Sequence, residues 1–226
     1  MKNMVLHISL IISSLILLIG CSRPSNSNNN SSVNSPILPF IGQQDFEYDN
    51  KGDIIDTLYH TIPDFYFTAH DSTAVTNETV EGKVYVADFF FTNCPSICPI
   101  MTGNMKTFHE NTKDIKELVI LSHTIDPGRD TLAQLNHYIK IKEIDTRDDW
   151  FFLYGAQDYT YELGKYGYLI NADIDPDAEG GFLHSEHFVL IDREGRIRGM
   201  YEGTDPMQVE LLEKDIRKLI KVEYGK

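Results

Sequence analysis

An open α/β architecture, a mixed β-sheet between helices with a hairpin and a helix at its C-terminal end, is expected on three grounds. Segments with strand and helix patterns alternate between residues 60 and 170. One of them, "GKVYVADFFFT" (82–92), is almost continuously apolar, as a strand covered on both faces must be. After residue 186, two strand-like runs flank Arg193-Glu194-Gly195 and lead into an amphipathic helix. Strands that alternate with helices bury their apolar faces only when helices cover both sides of the sheet.

The N-terminal residues are expected to stand apart from this fold. Lys2 gives a positive start, and "LHISLIISSLILLIG" (6–20) is an apolar stretch too short for an ordinary membrane span, the pattern of a secretory signal over residues 1–20. Its end, Leu18-Ile19-Gly20-Cys21, resembles the lipobox of bacterial lipoproteins, in which the cysteine is acylated. An uncleaved anchor helix is the alternative. Either reading places the rest of the chain outside the cytoplasm, lipid-anchored in the first case to a bacterial cell envelope and facing the periplasm. Residues 22–35 are eleven parts in fourteen Ser or Asn, so the segment 21–36 reads as a lipidated cysteine and a disordered tether. A coil of that length spans about 20 Å.

Residues 37–226 read as one domain, without a second linker or an internal repeat. Within it, "HTIPDFYFTAHD" (60–71) alternates like a strand, with Pro63 near its start. The run 82–92 is the central strand, and "MTGNMKTFHENTKDI" (101–115) a helix despite Gly103. "ELVILSHTID" (117–126) is a second buried strand. In "TLAQLNHYIKIKEI" (131–144), Leu132, Leu135, Tyr138 and Ile139 fall at helical spacing. "WFFLYG" (150–155) reads as a strand and "DYTYELGKYGYLI" (158–170) as a helix. "HFVLID" and "RIRGMYEG" form the hairpin. In the last helix Asp205 is the cap, Pro206 the first position, and Val209, Leu212, Ile216, Leu219 and Ile220 the apolar stripe.

The formal charge of −14 disfavours nucleic acid and anionic lipid surfaces as partners. It suits a cationic partner or a metal ion, although a solvated acidic face is the commoner explanation of such charge.

Of three cysteines, Cys94 and Cys98 stand in "FFFTNCPSICPIM", just past the central strand and at the entrance to a helix. A structural disulfide, a redox couple and a metal site all fit that spacing. The disulfide is chemically available outside the cytoplasm, but it closes so short a loop that it adds little stability. Position favours chemistry: sites of open α/β sheets lie at the carboxyl ends of their strands, and a helix N-terminus stabilises a thiolate at Cys94.

Four segments, "PDFYFTAHD", "GKVYVADFFFTNCPSICPIM", "TIDPGRDTLAQLNHYIK" and "HSEHFVLIDREGRIRG", resemble the Sco/SenC family of thioredoxin-like copper proteins, in the same order and across roughly residues 60–204. Residues 37–59 and the tether lie outside the resemblance. It implies a thioredoxin-like fold and a copper site made of Cys94, Cys98 and one late histidine. Counted back from "LIDREG", His184 falls where the family's metal histidine stands; His187, three residues on, is the alternative. Thiolates suit Cu(I) and an imidazole helps tolerate Cu(II), whereas zinc usually takes four ligands. His60 and His70 flank an early strand, His109 and His137 fall in expected helices, His123 is expected to be packed or hydrogen-bonded rather than a ligand, and His7 leaves with the signal.

The implied function is that of a metallochaperone assembling the dinuclear copper centre of cytochrome c oxidase. The partners are the copper-binding oxidase subunit, the membrane through the lipid anchor, and a copper donor and thiol reductant that the sequence leaves unnamed. The rival is a thiol–disulfide oxidoreductase that reduces the subunit's cysteines through Cys94 and Cys98. Against it stand the three-residue gap between the cysteines and the missing proline between Gly180 and His187, where thioredoxin-type reductants carry a cis-proline. A peroxidase, the third reading, lacks a distinctive cysteine pocket. Asp126, Arg129 and Asp130 belong to the resemblance without a mechanism; Arg129 is expected to pair with an acid, and Asp130-Thr131 to cap the following helix.

Overall fold

The computed structural model of the chain describes residues 38–170, the backbones of 172–174 and 182–184, and residues 185–225. The signal segment, Cys21 and the tether lie outside the described residues. Pro36–Lys226 form one compact unit. Among the described residues no helix is long and apolar enough to cross a membrane.

In chain order the elements are β1 (Gln44–Tyr48), β2 (Ile54–Tyr59), β3 (Tyr66–Ala69), β4 (Ala74–Thr76), the short helix α1 (Asn77–Val80), β5 (Val84–Phe90), α2 (Ile97–Asn111), β6 (Leu118–Thr124) and α3 (Leu132–Ile141). Then follow β7 (Trp150–Tyr154), α4 (Gln157–Glu162) running into a π turn (Leu163–Gly167), β8 (Ala172–Ile174), β9 (Phe182–His184), β10 (His187–Ile191), β11 (Ile197–Glu202) and α5 (Pro206–Glu223).

Seven strands form the main sheet in the order β11-β10-β5-β6-β7-β3-β4. β5, β6 and β7 run parallel, while β10 and β3 join this trio antiparallel. The expected mixed sheet is present, and the two strands read as continuously apolar are its centre: every residue of β5 and β6 is buried. β1 with β2, and β8 with β9, form separate two-stranded ribbons.

Helices cover both faces. On one, the ring of Tyr138 in α3 packs on Phe90 of β5, and its hydroxyl shares a hydrogen bond of 2.8 Å with Thr102 of α2. α5 lies against α2 and β11. On the other face Tyr159 of α4 meets Phe67, and Tyr168 beyond the π turn meets Phe89.

The local signals explain the ends of these elements. Asp205 caps α5 by accepting from the Met207 N–H at 2.8 Å, with Pro206 at the first turn. Val209, Leu212, Ile216 and Leu219 are its buried stripe. In the β10–β11 turn, Asp192 accepts from the backbone N–H groups of Glu194 and Arg196, and Gly195 takes the positive φ (77°) that the turn requires. Two spans differ from expectation. The strand expected over 60–71 is only Tyr66–Ala69, and the helix expected from residue 101 begins at Ile97, so it takes in Cys98.

Candidate metal centre

β5 ends at Phe90, and the chain turns through residues 91–96 into α2. Cys94 lies in that turn, its N–H donating to the Phe91 carbonyl at 3.2 Å, and Cys98 is the second residue of the helix. Both are buried, unbridged thiols. Ser96 precedes α2 without a side-chain capping bond; instead the Cys98 N–H points at the Cys94 sulfur, 3.4 Å away. The free N–H groups of a first helical turn need an acceptor, and a sulfur serves best when it is negative. Cys94 remains 6% exposed and Cys98 only 1%, so Cys94 is the more open residue of the two.

The Cys98 thiol is pushed strongly upward, first by its hydrogen bond with the Cys94 side chain, then by burial, with the negative charges of Cys94 and Asp88 adding to it. The pair therefore holds a proton that a metal ion would have to displace, which makes metal binding proton-coupled.

Asp88 is a residue that sequence reasoning missed. It is buried on β5, accepts from the Ser122 hydroxyl at 2.5 Å, and Ser122 in turn accepts from the Trp150 indole at 2.9 Å. Burial pushes its carboxyl up to about 7 despite the Ser122 bond. The signal was a lone acid inside the apolar run "VYVADFFF".

The segment Asp126–Thr131 acquires a role. Asp130 does not cap α3; the cap is Thr131, whose hydroxyl accepts from the Gln134 N–H at 3.3 Å. Asp130 is fully buried and turns toward the cysteine loop, accepting from the Thr92 N–H at 2.9 Å, the Thr92 hydroxyl, and the Thr124 hydroxyl at 2.6 Å. It thus ties the end of β6 to a residue two positions before Cys94. Arg129 pairs with Asp126 as expected, and burial holds the Asp126 carboxyl above its ordinary range against that guanidinium.

His184 ends β9, where its backbone pairs with Ala172; its side chain lies outside the described residues. His187 opens β10, half-buried, with its Nδ1 sharing a 2.9 Å hydrogen bond with Ser185. β10 runs antiparallel on β5 with Val189 opposite Ala87, so the segment before β10 heads toward the end of β5 that carries the cysteines. Among the described residues no three metal-ligating side chains converge. What they supply is two thiols, a soft donor pair that fits Cu(I).

Three of the other histidines make hydrogen bonds within the fold. His60 bonds the Gly167 carbonyl (2.7 Å), His70 accepts from the Phe152 N–H (3.4 Å), and His109 pairs with Asp149 (2.6 Å). His137 lies in α3. His123 stacks on Phe89 with neither ring nitrogen hydrogen-bonded, and burial pushes it down to about 3.

A family model described as SCO1/SenC matches residues 56–221 of this chain. A SCO1/SenC family lipoprotein from Bacillus anthracis, strain Ames, is similar in structure, with 30% identity and a TM-score of 0.64 over 71% of this chain and 95% of that one. BsSco, a member of the Sco family of cytochrome c oxidase assembly proteins in which a disulfide switch was identified, aligns at 27% identity over 72% and 95% of the two chains, again at 0.64. Yeast Sco1, solved with copper bound, shares the thioredoxin-like fold at 21% identity and a TM-score of 0.57 over 73% and 93%.

Proposed function

This chain belongs to the SCO1/SenC family, and on that premise we propose that it is a membrane-anchored copper chaperone serving assembly of the dinuclear copper centre of cytochrome c oxidase. The observation that carries the reading is the donor pair: two buried cysteines, not joined as a disulfide, at the mouth of the sheet, one of them slightly more open than the other. Cys94 and Cys98 are the proposed sulfur ligands and His184 the nitrogen ligand, with His187 the alternative. The lipid anchor is Cys21, which holds the domain on a bacterial envelope membrane, facing the periplasm.

Copper is the cargo. Three protein ligands leave one side of the ion open, and a recipient's thiolate enters there, beside Cys94. Cys98, enclosed by the first turn of α2, is the ligand that leaves last. Asp130 holds the loop before Cys94, so the two sulfurs keep their spacing while ligands exchange.

A second reading rests on the same sulfurs and on the disulfide switch of BsSco. The Cys94 thiolate attacks a disulfide of the oxidase subunit and forms a mixed disulfide. The Cys98 thiolate then displaces the recipient's second sulfur, releasing a dithiol and leaving Cys94 and Cys98 bonded. Two electrons pass to the recipient, and a separate thiol reductant restores the pair.

Anaerobic copper titration of the reduced protein, beside its His184→Ala variant, separates the two. A chaperone loses the Cu(II)–thiolate absorption in the variant while the fold is kept; an unchanged spectrum moves the ligand to His187 or defeats the assignment. A reductase keeps near-normal disulfide reduction in His184→Ala and loses it in Cys94→Ser.

A further inference from the structure

The ribbon of β1 and β2 is two-sided. Phe46 pairs with Thr57, Tyr48 with Ile54 and Gln44 with Tyr59, whereas Asp45 pairs with Leu58 and Glu47 with Asp56. Cross-strand partners share a face. A register shift after Glu47 sets Ile54, not Ile55, beside Tyr48; one face therefore carries Phe46, Tyr48, Ile54 and Tyr59 and no charge, and the other carries three carboxylates and Leu58. Tyr59 roots the uncharged face on the ring of Phe40, 4.0 Å away. Beyond that root, Phe46, Tyr48 and Ile54 are each between 45% and 58% exposed. An isolated two-stranded ribbon is marginal in water, and this one keeps its apolar side bare. Its first strand and its turn precede residue 56, where the family match begins.

The ribbon is also placed with respect to the cysteines. Bridges from Ile41 to Ile197 and from Thr61 to Arg196 set its root beside the start of β11. β11 is antiparallel to β10, which is antiparallel to β5, so the start of β11 is level with the start of β5. The cysteines follow the other end of β5, about 20 Å away at the usual rise of a strand.

We propose that the uncharged face of this ribbon rests in the headgroup layer of the bilayer that holds the chain, and so turns the cysteine end of the sheet away from the lipid. This rests on the anchor reading. Gln44 stands 23 residues after Cys21, so on the anchor reading the ribbon is the first described strand pair to follow the lipid. Two aromatic rings and a branched aliphatic chain on one face suit the interface. The carboxylates of Asp45, Glu47 and Asp56 point to the water side, so the surface that fits is zwitterionic, and anionic lipid weakens the contact.

The test uses the full chain as a bacterial host processes it, mixed with vesicles of brominated phosphatidylcholine. The one native tryptophan, Trp150, is buried and gives a constant background. Tyr48→Trp adds an indole on the ribbon; Met207→Trp adds one at the cysteine end, where Met207 is 74% exposed. The ribbon indole should be quenched by bromine at interfacial depth, the α5 indole should not, and phosphatidylglycerol should reduce the effect. If the chain floats with the vesicles but the two indoles are quenched alike or not at all, the ribbon contact is wrong and the anchor stands. If the chain does not float, the anchor reading fails and takes the ribbon contact with it. A concentration-dependent blue shift of the ribbon indole without lipid shows that a second copy covers the face, and overturns the proposal.

Discussion

Asp130 shows how one buried carboxylate ties the cysteine loop to the end of β6. Its two oxygens satisfy Thr92 and Thr124, fully buried, so loss of its charge leaves donors without partners in a dry environment. Asp130→Asn should destabilise the domain by about 2 kcal/mol and weaken Cu(I) binding, while Asp130→Glu should recover part of the affinity; denaturant unfolding and competition with a Cu(I) chelator read both. Equal affinity in the Asn variant would mean the loop holds itself. Asp88 acts through pH. Its folded pKa, about 7, lies above its value in the unfolded chain, so the native state binds the extra proton and stability falls as pH rises from about 4 to 7. Asp88→Asn keeps the shape of the neutral carboxyl and removes that slope. The variant should equal the wild type near pH 4 and exceed it by about 4 kcal/mol above pH 7, measured by urea unfolding at a series of pH values. His123 has the opposite sign: its folded pKa, about 3, lies below the unfolded value, so its stabilisation is present above about pH 6.5 and lost as pH falls. His123→Leu should flatten the acid limb of the same curve.

At the scale of the element, the parts of the chain with one strong local pattern were legible. "VYVADFFF" and "LVILSHT" read as buried strands because no polar face interrupts them, and α5 because cap, proline and apolar stripe agree. The Cys94–Cys98 turn was legible for the same reason: a buried strand stops and a helix starts. The early ribbon was not. Its alternation of Phe, Tyr and Ile with Asp and Glu faces solvent on both sides, so no buried face marks it. Asp130-Thr131 before an apolar helix signals a cap, and Thr131 supplies it; the partner of Asp130, Thr92, lies 38 residues away, a separation that no local pattern encodes. The last turn of α5 depends on a similarly distant contact. Arg198 of β11, fully buried, donates to Asp192 at 3.0 Å, to both oxygens of Glu223, and to the carbonyls of Leu38 and Pro39. It joins the start of the domain, the hairpin and the final helix. Arg198→Ala removes the buried cation that joins Asp192, Glu223 and two carbonyls, and should cost about 3 kcal/mol, with faster hydrogen exchange confined to residues 38–41 and 215–225.

Across the whole molecule the sheet divides the labour. Its amino end carries the root of the ribbon and the Arg198 network, and its carboxyl end carries two thiols under the first turn of a helix. A net charge of −14 favours a basic surface on the recipient. Transfer of copper to it should therefore slow as ionic strength rises, by stopped-flow mixing, while affinity for free Cu(I) stays constant. All of this depends on two cysteine sulfurs and one histidine nitrogen sharing one ion. X-ray absorption at the copper edge of the loaded protein measures that directly. The account predicts two sulfur scatterers and one imidazole nitrogen, with the nitrogen lost in His184→Ala and both sulfurs retained. A spectrum of the wild type with no imidazole contribution, or one unchanged by His184→Ala and by His187→Ala, would contradict it.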